Sequence, residues 1–580
     1  MEFDIILENG LIHDGSGKAP YVADVGIRDD RIVDIGDLRH AEAAQRINTG
    51  GNVVCPGFID VHSHADLVIH MPHHPDILEP LLRQGITTFV GGNCGMGMAP
   101  LSKNHVAAAF TYMEAMISQD ANSFIRWEKF GEFIQALDAD GGLALNCGLL
   151  VPHGMLRIAA QGLKNELPSP DAMKTMRYDL EEGLEAGALG MSTGLMYFPG
   201  VSSDEQELEN LAEILVRNDA VFTSHLRSYS NTLPQAIEEV LEISRKTNVK
   251  VQISHFFWLP HVSQMVDAVT NSAARAMAQL YKKVKVPLPL DLPLKKQLKT
   301  ITREIARGLP LGIDAMPTGT GFTHALAFFP PWVLTGDQQK VLQRIADKDI
   351  RRIIYRAIRS GKSEWPHREG NTWSMNFFKV MGFKSIFLMS VVSAQNKQYE
   401  GKHFVQIGKE RGQHPFDAIC DILVEEDGNV LVFETPTFPG DEFTERSVYA
   451  AIQDPNVSIV TDTILMGFGK PSHLFYDTYP KILSKYVRDE KLLTLPEAIR
   501  KSTSLPARQL GIKKRGLVRK GYYADLVVFD PATIRSNSTP EVPNQYPSGI
   551  EYVLVNGKVA VTPAGFSKNT HSGRVVKRWD

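Results

Sequence analysis

Long blocks of one charge are missing from this chain: 62 Lys+Arg and 66 Asp+Glu are interspersed to a formal net charge of -4. Nucleic-acid binding and polybasic membrane attachment are therefore disfavoured. Cysteine is sparse. Cys55, Cys94, Cys147 and Cys420 lie too far apart to read as a disulfide framework, which points to a reducing compartment. No run of about 18 apolar residues occurs, so no membrane-spanning helix is expected. The first residues, Met1 to Leu7, carry no basic segment ahead of a long apolar core, as a signal peptide would. The expectation is a soluble, cytoplasmic protein acting on a small molecule, with no nucleic-acid or membrane partner and with homo-oligomerisation left open.

What is present is a large apolar fraction, 43% of 580 residues, enough for more than one core. Residues 1–54 read as short strands separated by Asn9-Gly10, Asp14-Gly15 and Asp29-Asp30 turns. The segments Gly521 to Asp530 and Ile550 to Lys558 read the same way. Residues 1–54 with 510–580 are thus expected to form a small β-sandwich domain. Between them, over 55–509, strands alternate with helices: 57–61, 87–95, 143–150, 188–192, 221–225, 249–255, 311–314 and 457–462. Eight such units predict a parallel (β/α)8 TIM-like barrel. Two connections are too long for a minimal barrel, near 261–294 and 317–455, and both leave the strand ends where barrel chemistry occurs.

Those strand ends share a pattern. The run Pro56-Gly57-Phe58-Ile59-Asp60-Val61 delivers His62 and His64, which in an extended chain point to the same side. The second strand leads to Cys94, the fifth to His225, the sixth to His255 and the eighth to Asp462. A buried cysteine or a satisfied core histidine explains any one of them, but six at equivalent ends point to a metal centre with a proton carrier.

These stretches resemble the amidohydrolase superfamily, in the branch of the N-acyl-D-amino-acid deacylases (D-aminoacylases). The resemblance is carried by Pro56 to His64, Gly92-Asn93-Cys94-Gly95, Leu189 to Tyr197, Ser224-His225-Leu226-Arg227, Ile253-Ser254-His255 and Leu492 to Arg508. It implies that Cys94, His225 and His255 hold a tight zinc, that His62 and His64 serve a second, weaker site, and that Asp462 is the general base and acid. Tyr197, Phe257, His153 and Arg227 are expected to contact substrate. Asp314 is expected to orient its neighbours, and His70, His73 and His74 to have no catalytic duty.

The chain departs from that branch where the branch reads a carboxylate. A lysine two residues beyond the strand-six histidine is here Phe257, and Asp-x-Tyr-Pro-Tyr is here Asp314-Ala315-Met316-Pro317-Thr318. The branch's His-Pro-Arg is His473-Leu474-Phe475. The expected activity is zinc-dependent hydrolysis of an amide C–N bond with a more apolar pocket. The alternatives are opening of a cyclic amide or imide on the same residues and, from another class, an inactive barrel with an assembly role. Retention of all six residues speaks against the last.

Overall fold

Eight parallel strands follow one another in chain order around the central sheet: β1 (Phe58–Asp60), β2 (Ile86–Gly91), β3 (Asn146–Pro152), β4 (Gly190–Gly194), β5 (Val221–His225), β6 (Lys250–Ile253), β7 (Leu311–Ala315) and β8 (Val457–Ile459). The computed structural model describes residues 2–117, 120–139, 141–259, 264–285, 289–361, 365, 373, 376–568 and 571–580. The barrel closes just beyond the ends of β8 and β1. There the Asp462 amide donates to the His62 carbonyl (2.9 Å) and the His64 amide to the Thr463 carbonyl (2.8 Å). The seam therefore sets Asp462 beside the two histidines.

The helices between strands form for local reasons. Helix Glu205–Arg217 starts at Asp204, whose carboxylate accepts the Glu207 amide (2.8 Å), a cap worth about 1 kcal/mol. Leu208, Leu211, Ala212 and Leu215 then fall on one face at helical spacing and are buried. No described helix is long and apolar enough to cross a membrane.

Both chain ends build a second, nine-stranded sheet, knitted by Val53–Pro56, which pairs in parallel with Phe3–Ile12 and antiparallel with Leu526–Phe529. Strand alternation gives this sheet two buried faces. Val54, Leu526 and Val528 point into its own core, while Val53, Cys55, Val527 and Phe529 join the core of the barrel. Two expectations change here. Asn9-Gly10 is a bulge inside one long strand, with Asn9 at φ 55°, because the pairing with Tyr21–Arg28 continues past it after a register shift. The third barrel strand begins at Asn146, since Leu143 is drawn off to bridge Gly573. Val575–Val576 leave the terminal sheet and pair with β3.

The long segment between β7 and β8 folds into helices and a three-stranded antiparallel sheet, Gly321–His324, Leu431–Glu434 and Ile386–Ser390, with Leu431–Glu434 in the middle. In the first insertion, residues 260–263 and Pro287-Leu288 lie outside the described residues.

Candidate active site

The six residues singled out at the strand ends meet at one barrel mouth. Cys94 Sγ lies 3.3 Å from His62 Nε2, 3.5 Å from His225 Nδ1 and 3.5 Å from His255 Nε2. Asp462 Oδ1 lies 3.4 Å from both His62 Nε2 and His64 Nε2. All six are buried.

The backbone there is strained. Cys94 (φ 54°), His255 (φ 31°) and Asp462 (φ 53°) all sit in the left-handed region, which costs non-glycine residues of order 1–3 kcal/mol each and clusters at functional sites. The turn at Cys94 needs small neighbours. A Cβ on Gly194 would stand 2.0 Å from the Cys94 carbonyl oxygen, so the glycine of β4 lets the turn lie flat on the strand.

The donor set fits a metal ion. Two triads, His62/Cys94/His255 and His62/His64/Asp462, have ligand atoms within 4.8 Å of one another. His62 stands in both triads, and His225 Nδ1 approaches the same sulfur at 3.5 Å. The opposite nitrogen of each ring, His62 Nδ1, His64 Nδ1, His225 Nε2 and His255 Nδ1, is buried without a hydrogen-bond partner. Burial holds His62 and His225 well below the usual imidazole range and lowers His255, which leaves them in the neutral form that ligates metals. Burial, then Asp462 and Asp314, push the Cys94 thiol well up, so a cation is what would make it a thiolate. Burial also pushes Asp462 up, but His62, His64 and His255 outweigh it and hold its carboxyl at about 2. Asp314 orients its surroundings as expected: its carboxylate accepts the His255 amide (2.6 Å) and Gln252 Nε2 (2.7 Å).

A narrow cavity opens over this cluster. Tyr197, Phe257 and Met316 are on its wall, and the segment between β7 and β8 adds Phe322, Thr323 and Glu434. Phe257 stacks on Tyr229 at 4.5 Å. The Tyr197 ring lies 4.6 Å from that of His225, and its hydroxyl accepts from Thr323 Oγ1 (3.2 Å). No lysine or arginine is among the described residues lining this cavity.

Two expected substrate contacts are placed elsewhere. His153 is wholly buried with its Nε2 2.7 Å from Glu207 Oε1, a carboxylate that Arg157 also pairs. Arg227 is equally buried; it pairs with Glu239 (2.9 Å) and donates to the Val201 and Ser203 carbonyls. Both brace loops behind the cavity wall. Replacing Glu239 with alanine would strand the Arg227 charge at a cost of about 3–5 kcal/mol, read as a lower chemical-denaturation midpoint; an unchanged midpoint would contradict this. His70 and His74 bond to the Ala121 and Met71 carbonyls, away from the cluster. Glu434 escapes a reading of the sequence. Its only signal is a carboxylate ending the apolar run Leu431-Val432-Phe433.

Residues 450–561 match the model of the amidohydrolase family. An N-acyl-D-glutamate deacylase of Alcaligenes xylosoxydans xylosoxydans is 30% identical, over 100% of this chain and 97% of that protein. The N-acyl-D-glutamate deacylase of Bordetella bronchiseptica, solved with zinc and a phosphonate mimic of the tetrahedral intermediate, superimposes with a TM-score of 0.74 at 25% identity, over the whole of both chains. A D-aminoacylase studied for its binuclear metal center, with one-metal activation and second-metal attenuation, gives 0.72 at 26% identity, over 99% of this chain and 100% of that one.

Proposed function

The protein belongs to the amidohydrolase family, in the branch of the N-acyl-D-amino-acid deacylases, and on that premise we propose that it hydrolyses amides lacking a free carboxylate beside the scissile bond. It is a metal-dependent enzyme acting on C–N bonds other than peptide bonds. The observation that carries the substrate reading is the wall at Phe257 and Met316, which offers apolar surface and no cation. A carboxylate buried against such a wall without a partner would cost several kcal/mol.

In this reading Cys94, His225 and His255 would hold one zinc, and His62 and His64, with Asp462 adjacent, would serve a second. Bound zinc supplies a Lewis acid for the scissile carbonyl and acidifies the attacking water. Asp462 takes the proton of that water on its carboxylate and hands it to the departing nitrogen. Asp314 keeps the His255 backbone in place through the bond to its amide. Phe257, Tyr197 and Met316 exclude bulk water and set the shape of the group accepted.

The test is competition among N-acetyl-D-methionine, its primary amide and an aromatic anilide on zinc-loaded enzyme. The two neutral compounds are expected to show the higher kcat/KM. A clear preference for the free acid would overturn the reading from Phe257.

A further inference from the structure

We propose that Glu434 is a specificity-determining residue that receives a cationic, hydrogen-bond-donating group of the substrate, so that the preferred amides carry a primary ammonium at the end of an apolar chain. This rests on the reading that the cavity over Cys94 and Asp462 takes the amide.

Glu434 ends the central strand of the small sheet, and its side chain lines the cavity while only 4% of the residue is exposed. Its Oε2 is buried without a hydrogen-bond partner. Across the ladder stands Gly321, also on the cavity wall; a Cβ there would lie 2.9 Å from Glu434 Oε1. The glycine leaves the carboxylate its space. Phe322, Thr323 and Tyr197 line the same cavity, none of them cationic. Burial alone acts on this carboxyl and pushes it up to about 8.

A buried acid left without a partner is costly, and native proteins keep few of them. The cavity thus has a vacant acceptor and no cation of its own. An ammonium group entering it would complete the pair and draw the Glu434 carboxyl to its ionised form, whereas a carboxylate would offer it no counter-charge. The polarity is the inverse of a carboxylate-reading pocket. Phe257 and Met316 supply the apolar surface that a methylene spacer would cover.

The experiment uses zinc-loaded enzyme with N-acetyl-diaminoalkanes and ω-aminoacyl anilides of increasing length, each beside the uncharged compound of equal length. Calorimetry with linear alkylammonium ions and alcohols of matching length gives a readout independent of turnover. At the best length the ammonium compound is expected to exceed its neutral partner by about 30-fold or more in kcat/KM, the scale of a buried charge pair. In Glu434→Gln that ratio should collapse toward one, and in Glu434→Lys the preference should move to carboxylate-bearing amides. A wild-type ratio near one, or the same ratio in Glu434→Gln, would overturn the assignment. If neither series is turned over, equal binding of ammonium ions and alcohols overturns it as well. Failure of the apolar-amide reading is seen separately, as preference for N-acetyl-D-methionine over its neutral derivatives.

Discussion

Replacing Cys94 with alanine removes most of the bound zinc, and hydrolysis falls with it. The sulfur lies 3.3–3.5 Å from three imidazole nitrogens, and it is the only thiol of the cluster. An alanine leaves three neutral donors and no negative charge at the centre of the group. The loss of activity should exceed the about 10- to 100-fold that follows removal of a group merely supporting a ligand. Zinc content after desalting, beside a thermal unfolding curve, separates this from misfolding. A folded Cys94→Ala protein with full zinc and full activity would sink the assignment. His64→Ala should keep more zinc than Cys94→Ala, because His64 stands only in the triad without the sulfur.

Asp462→Asn is expected to lower kcat by about 10² to 10⁴, the usual contribution of a positioned acid–base group, while keeping the fold and much of the zinc. Asparagine is the substitution to use. Asp462 has φ 53°, a region that Asn and Asp tolerate better than other side chains, and its backbone amide still closes the barrel seam on the His62 carbonyl. An alanine there would mix lost chemistry with backbone strain. Turnover unchanged in Asp462→Asn, at equal zinc content, would mean that another group moves the proton.

The barrel was legible because its strands are buried on both faces and bounded by turn residues, so apolar runs such as Val221-Phe222-Thr223 stand out between helical stretches. The candidate donor set was legible because barrel chemistry sits at strand ends: His62 and His64 share one end, and Cys94, His225, His255 and Asp462 follow four others. Strand limits were less so: Leu143 is apolar enough to start β3, yet its backbone pairs with Gly573, and no local pattern announces a partner more than 400 residues away.

Polar residues near the site depended on direction, which residue type does not encode. His153 and Arg227 lie in motifs beside β3 and β5 and read as substrate contacts. Glu207, on the helix after β4, pairs with His153, and Glu239, on the helix after β5, pairs with Arg227, both behind the wall. Glu434 lies in the long connection, far in sequence from every ligand. It reaches the cavity only because Leu431–Glu434 pairs between Gly321–His324 and Ile386–Ser390. By itself the sequence determined the barrel, the candidate donor residues at its strand ends and the absence of the branch's carboxylate-reading lysine at Phe257. The tertiary structure alone decided which buried charges are paired and which carboxylate faces the cavity unpaired, because pairing is a matter of distance and orientation between segments brought together by folding.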